Sequence, residues 1–153
     1  MDTAQPGRKQ LTHDRILDTA AAALRGGGFD GIGVADIMKR SGLTHGGFYA
    51  HFPSREALLA EAMERAGQDS CERLRTAVDA GHRKGHSRLR ALVDHYLSEA
   101  HLQAPEAGCP VAALASEMPR QGKAVQQAAA GGVAALVRAV KDTLPAGQPA
   151  AAA

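Results

Sequence analysis

Residues Val34 to Phe52 read VADIMKRSGLTHGGFYAHF, and this stretch decides the fold. Val34, Ile37, Leu43 and Phe48 occupy its first, fourth, tenth and fifteenth places, with Gly42 between two short helical segments. Apolar residues at that spacing around a glycine turn predict a helix-turn-helix. The second helix of such a pair is short enough to set its N-terminal residues against base edges in the DNA major groove. Local charge agrees. The 153-residue chain carries 18 Lys and Arg against 16 Asp and Glu, a net +2 that favours no partner. Yet no acid falls between Ile37 and Arg55, where Lys39, Arg40 and Arg55 are basic and His45 and His51 can become so. Attraction to phosphate is the sequence-independent part of DNA affinity and needs such a field. Gly46 and Gly47 are poor helix formers, about 1 kcal/mol each relative to Ala. Their presence suits close approach of the backbone to another surface.

Outward from this stretch the chain reads as helix throughout. Met1 to Gln10 is a basic arm. A first helix is expected from Thr12, as N-cap, with Ile16, Leu17, Ala20 and Leu24 on one face, ending at Gly26-Gly27-Gly28. Thr44 is expected to cap the third helix, and Pro53 to stop it. Ser54 caps a long fourth helix with Glu56 near its positive end. It carries Leu58, Leu59, Ala62, Met63 and Ala66, then Cys71, Leu74 and Val78, and Ala80 to Gly85 is its expected end. A fifth helix shows a stripe of Leu89, Leu92, Val93, Tyr96, Leu97 and Ala100. After a loop, Pro110 opens a short helix with Val111 and Leu114 inward. A last helix, about Gln121 to Leu144, has Val133, Leu136, Val137, Val140 and Leu144 on one stripe and ends at Pro145.

The expected fold class is therefore all-α, about seven helices, with no strand pattern. Its organisation is a flexible arm (1–10), a helix-turn-helix head (11–54), a helical body (55–144) and a disordered tail (145–153). Four of the five aromatic residues, Phe29, Phe48, Tyr49 and Phe52, fall in or near the head. There is no run of 18 apolar residues to span a membrane and no secretory leader at Met1, so a cytoplasmic protein is expected. Two cysteines make no disulfide scaffold.

The runs FDGIGVADIMKRSG (29–42) and LTHGGFYAHFPSREALL (43–59) closely resemble the TetR family of transcriptional regulators. The Phe48-Tyr49 pair, Phe52 three residues later and then Pro-Ser-Arg-Glu-Ala-Leu are the specific part. The resemblance covers about residues 12 to 65. It implies a ligand-responsive regulator, a repressor released from its operator by a small molecule. Carried over by residue, it places Thr44, His45, Gly46 and Gly47 toward bases. It places Tyr49, His51 and Arg55 toward phosphates, with Arg55 at a helix N-terminus that itself favours phosphate. Thr12 and Arg15 would hold the backbone from the flank. Gly33 stands where the family usually has a Ser or Thr cap, and Met38 where a small alanine is usual.

The resemblance also implies an effector pocket in the body. Its expected lining is Met63, Leu74, Leu92, His95, Tyr96, Cys109, Leu114, Met118 and Val133, suited to a small, mostly apolar ligand. The expected partners are palindromic double-stranded DNA, that effector and a second copy of the chain; no membrane is expected. The usual pair of dimerisation helices is missing from the sequence given. The alternative reading is therefore a shortened helical regulator that binds a ligand or partner without holding an operator by itself.

Other signals are weaker. Cys109, at a helix mouth, is a candidate redox or electrophile sensor. His82 and His86 have the i, i+4 spacing of a metal pair but no third ligand. The Gly26 to Gly33 cluster is no phosphate loop, and no GxSxG elbow occurs. No catalytic residue, metal or cofactor is expected, and the chain is read as a non-enzyme.

Overall fold

The structure, a computed structural model, describes residues 7–31 and 33–145. The expectations for 1–6 and 146–153 lie outside the described residues. Among those described there are helices and no strand. Seven α-helices form: α1 (Arg8–Gly27), α2 (Val34–Arg40), α3 (Arg55–Arg83), α4 (Arg88–Tyr96), α5 (Glu99–Leu102), α6 (Pro110–Leu114) and α7 (Lys123–Lys141). Three 3₁₀ helices join them, at His45–Ala50, Pro105–Ala107 and Met118–Arg120.

One continuous core runs from head to body. Ile16 and Leu24 of α1, Ile37 and Met38 of α2, Phe48, Phe52, Leu58 and Met63 of α3, Leu114 of α6 and Val125 of α7 share it. Met38 is fully buried, so the head accommodates this larger side chain in its centre. Phe52 stacks on His13 at 4.5 Å and on Phe48 at 5.8 Å between ring centroids.

Several boundaries differ from the sequence reading, each for a local reason. The first helix begins at Arg8, not Thr12; the Thr12 hydroxyl donates to the Arg8 carbonyl at 2.9 Å, so it sits inside the helix rather than capping it. The third helix is a single 3₁₀ stretch. Thr44 is extended there but its side chain makes no capping bond, and two consecutive glycines leave little α preference. The long helix, by contrast, ends inside the expected stretch of Ala80 to Gly85; Gly81 within it serves as a contact, since a Cβ there would lie 2.5 Å from that of Ala91 in α4. The helix ends two residues later, where Gly85 takes φ +92 and the Gly85 and His86 amides donate to the His82 and Gly81 carbonyls.

The fifth helix stops at Tyr96, because Ser98 starts a new turn by accepting the His101 amide at 3.1 Å. Its expected inward stripe is largely outward. Ala91 is buried instead, while Leu97 is 76 % exposed and Val93 also faces out. The last helix spans Lys123–Lys141 rather than 121–144, with Gly122 extended before it and Thr143 turning back onto the Val140 carbonyl. It meets α3 where Gly67 faces Gly132; a Cβ on Gly67 would stand 3.4 Å from the Gly132 Cα. Small residues let the two backbones approach, offsetting the helix propensity lost to glycine.

Candidate nucleic-acid interface

The α2 helix, the turn at Gly42 and the 3₁₀ helix form the helix-turn-helix. Gly42 has φ +70. Its amide donates to the Lys39 carbonyl at 3.0 Å, and the Leu43 amide to that of Met38 at 2.9 Å. This doubly bonded cap needs a left-handed residue after the helix, which glycine supplies without a Cβ clash. Leu43 then packs against the core beside Met38. The turn thus fixes the direction in which the 3₁₀ helix leaves.

That helix has an inner and an outer side. Phe48 and Phe52 point inward and are buried, whereas Tyr49 is 73 % exposed with its ring edge-on to Phe48 at 5.1 Å. Thr44, His45 and Gly46 are exposed, and Gly47 is half-buried over the Met38 methyl. A Cβ on Gly46 would meet no protein atom within 4 Å. Gly33, extended at φ −86 and ψ 160, caps α2 with its carbonyl and without a side-chain bond. Thr12 is half-buried, and Arg15 is exposed on α1.

His51 is half-buried. Its Nδ1 is enclosed with no hydrogen-bond partner among the described residues. Burial first, then the neighbouring His13 and Lys9, hold its pKa below the ordinary imidazole value. Lys9, Gln10, His13 and Ala50 surround the same notch. Lys9 and Gln10 stand beside His51 only because α1 begins at Arg8, earlier than the sequence reading placed it.

Arg55 is the first residue of α3, after Ser54, whose hydroxyl accepts the Ala57 amide at 3.1 Å. Its side chain donates to the Phe29 carbonyl at 2.6 Å. The Phe29 amide in turn donates to Glu117 of the body at 3.0 Å. Nearby, buried Arg25 donates to the Glu106 carbonyl at 2.6 Å and pairs with Asp69 at 3.7 Å. Glu106 also approaches Arg40 at 3.8 Å. Glu106 and Glu117 of the body therefore hold the end of α1, the residue Phe29 after it and the end of α2.

The nine expected pocket residues do not surround one cavity. Met63 and Leu114 lie in the shared core, with Met118 against it. Leu74 lines a groove of about 480 Å³ between α3 and α7, with Cys71, Arg75 and Arg138. His95 lines a separate cavity of about 190 Å³. Leu92 is half-buried on α4 and Val133 exposed on α7. Cys109 is buried at the start of α6, and its hydrogen bond with Tyr96 joins burial in pushing that phenol up to about 12. Burial, then Cys109, pushes the Cys71 thiol up. His82 and His86 do not share a helical face, since α3 ends between them and the His82 ring meets the His86 carbonyl instead. No described helix is long and apolar enough to cross a membrane.

The described residues thus form an all-helical unit in which a glycine-turned helix-turn-helix joins a helical body. Residues 16–62 match the family described as bacterial regulatory proteins, tetR family, and residues 85–152 match the tetracyclin repressor-like C-terminal domain. The chain belongs to the TetR family of transcriptional regulators. An uncharacterised HTH-type transcriptional regulator of Mycobacterium tuberculosis is 31% identical over 109 residues, 71% of this chain and 54% of the relative. The HTH-type transcriptional repressor NemR of Escherichia coli is 25% identical over 107 residues, 70% of this chain and 54% of NemR. The chain thus spans about half the length of these curated relatives. The crystal structure of reduced E. coli NemR superposes with a TM-score of 0.68 at 20% identity, covering 86% of this chain and 68% of that one. A TetR-family regulator from Agrobacterium tumefaciens gives 0.65 at 24% identity, covering 88% and 74%. These two likenesses bear on the fold.

Proposed function

We propose that the chain binds a palindromic operator through residues 44 to 55 and represses transcription until a small molecule in the body releases it. One observation carries this reading. The 3₁₀ helix buries Phe48, and Phe52 just after it, while presenting Tyr49 to solvent, on a stretch with no acidic residue from Ile37 to Arg55. The name repressor attached to NemR supports the direction of control. The contacts of Glu106 with Arg25 of α1 and Arg40 of α2, and of Glu117 with Phe29 between those helices, offer a route by which a change in the body moves the head. Selection from a random DNA pool tests the reading. An inverted repeat with half-sites about one helical turn apart, roughly 34–36 Å, is expected. His45→Ala should alter preference at one base pair by about 1–3 kcal/mol. Enrichment of no sequence would refute it.

A single head makes few base contacts, and pairing two on one site raises their effective concentration. The exposed α7 face of Val133 and Val137, with Leu136 and Val140 half-buried beside it, supports association of two copies there. Leu136→Glu or Val140→Lys should shift sedimentation toward monomer and weaken operator binding together. A wild-type chain that stays monomeric at about 10 μM, a concentration that detects weak association, would instead favour the shortened regulator that holds no operator by itself.

A further inference from the structure

The 190 Å³ cavity at the junction of α3, α4 and α5 has an unusual balance of charge. Arg73 and Ser70 reach it from α3, His95 from α4 and His101 from α5. No carboxylate lines it. Arg73 makes no ion pair among the described residues. Its Nη2 is buried and meets no hydrogen-bond acceptor among them. A buried donor without an acceptor costs about 1–3 kcal/mol, and more when charged, so such a group in a native fold calls for a reason.

The surrounding charges sharpen the point. Two acids near Arg25 are paired with other cations: Asp69 with Arg25 at 3.7 Å, Glu106 with Arg40 at 3.8 Å. Arg25 feels Arg73 as a like charge that, after burial, lowers its pKa. His95 is lowered by burial, then by His101 at 5.7 Å between ring centroids, then by Arg73. Arg73 thus contributes positive charge to both neighbours, and no carboxylate lines the cavity to offset it there. The remaining walls are short and apolar, Ala100, Ala104 and Ala107, and Ser98 is already bonded to the His95 carbonyl and the His101 amide.

We propose that this cavity binds the carboxylate of a small organic acid, with Arg73 as its principal partner, His95 and His101 beside it, and the alanines against a short apolar body. The planar guanidinium matches a carboxylate in two parallel hydrogen bonds. The alanine walls favour such an acid over a fully hydrated tetrahedral oxyanion. The site gives the effector of the proposed repressor a chemical class, and in that regulatory consequence it rests on the proposed function.

Calorimetric titration of the full chain with propionate, benzoate, inorganic phosphate and chloride at matched ionic strength tests it. One of the two carboxylates should bind at a single site, and more tightly than phosphate or chloride. Arg73→Gln should weaken it by at least about tenfold, the loss of a charge-assisted hydrogen bond. Should Arg73→Gln not fold, Arg73→Lys, which keeps charge but loses the fork, and Ala104→Leu, which fills the cavity, should each weaken binding. Unchanged affinity in the folded variants, equal binding of chloride, or tighter binding of phosphate would overturn the assignment. Operator affinity with and without the carboxylate is read separately. Binding that leaves DNA affinity unchanged supports the site and refutes release by this ligand.

Discussion

The two ends of the molecule use apolar residues in opposite ways. In the head, Ile16, Leu24, Phe29, Ile37, Met38 and Phe52 are each at most 1 % exposed, and the aromatic rings stack. In the body, α7 meets α3 through Gly67, Gly132 and Ala128, while Val137 stays 46 % exposed and Leu97 and Leu102 face outward. The large apolar side chains of the head are mostly enclosed in the core that it shares with the body. The body is a scaffold with uncovered faces, suited to being completed by something else.

The sharpest way to break this contrast is to remove large side chains from each region. Phe52→Ala should destabilise the chain by about 3–5 kcal/mol, the usual result for a buried aromatic. Val137→Ala should cost less than about 1 kcal/mol in the monomer, because its methyls remain partly in water. Urea denaturation at low protein concentration reads both. Equal losses would mean that the α7 face is internal core.

A smaller effect separates folding from binding within the head. Gly46→Ala adds a methyl where no protein atom lies within 4 Å, so it should stabilise the chain by about 0.5–1 kcal/mol. The same methyl stands on the face proposed to approach DNA and should weaken operator binding. Thermal melts and binding isotherms moving in opposite directions are expected; improved binding would show that Gly46 lies away from the DNA.

The smallest effect is with acid, and it touches both regions. His51 in the head and His95 in the body have pKa values lowered by burial, the first also by His13 and Lys9, the second by His101 and Arg73. The unfolded chain then takes up protons first as pH falls below about 6.5. Stability should therefore be flat above about pH 7.5 and decline as pH drops through the folded values. His51→Gln and His95→Gln should each flatten part of the decline in melting temperature. A stability that rises on acidification would contradict these environments.

The head was legible in the sequence because its signals are local. Gly42 sits where the cap needs φ +70, and Val34, Ile37, Leu43 and Phe48 fall on the spacing of a helix-turn-helix. The start of α1 was not legible, since Arg8 to Gln10 extend the helix without an apolar residue and Thr12 imitates a cap. The body was harder for a different reason. Periodicity finds a stripe but cannot say what covers it, and Leu97 lies on a regular stripe that faces water. The end of α3 within Ala80 to Gly85 was legible, but the closeness of Gly81 to Ala91 was not, because it is a long-range fact. The cavity around Arg73 likewise joins residues 70 to 107 across three helices, with no spacing that announces it.

Arg55, at the start of α3, is the residue whose proposed contact with phosphate can be measured most directly. Fluorescence anisotropy of the selected operator, titrated with wild type and Arg55→Ala across a series of salt concentrations, measures it. Arg55→Ala should weaken binding to operator and to random DNA alike, and should reduce the slope of log affinity against log salt by about 1. An unchanged slope and affinity, with the variant's fold intact by circular dichroism, would contradict the placement of DNA on residues 44 to 55.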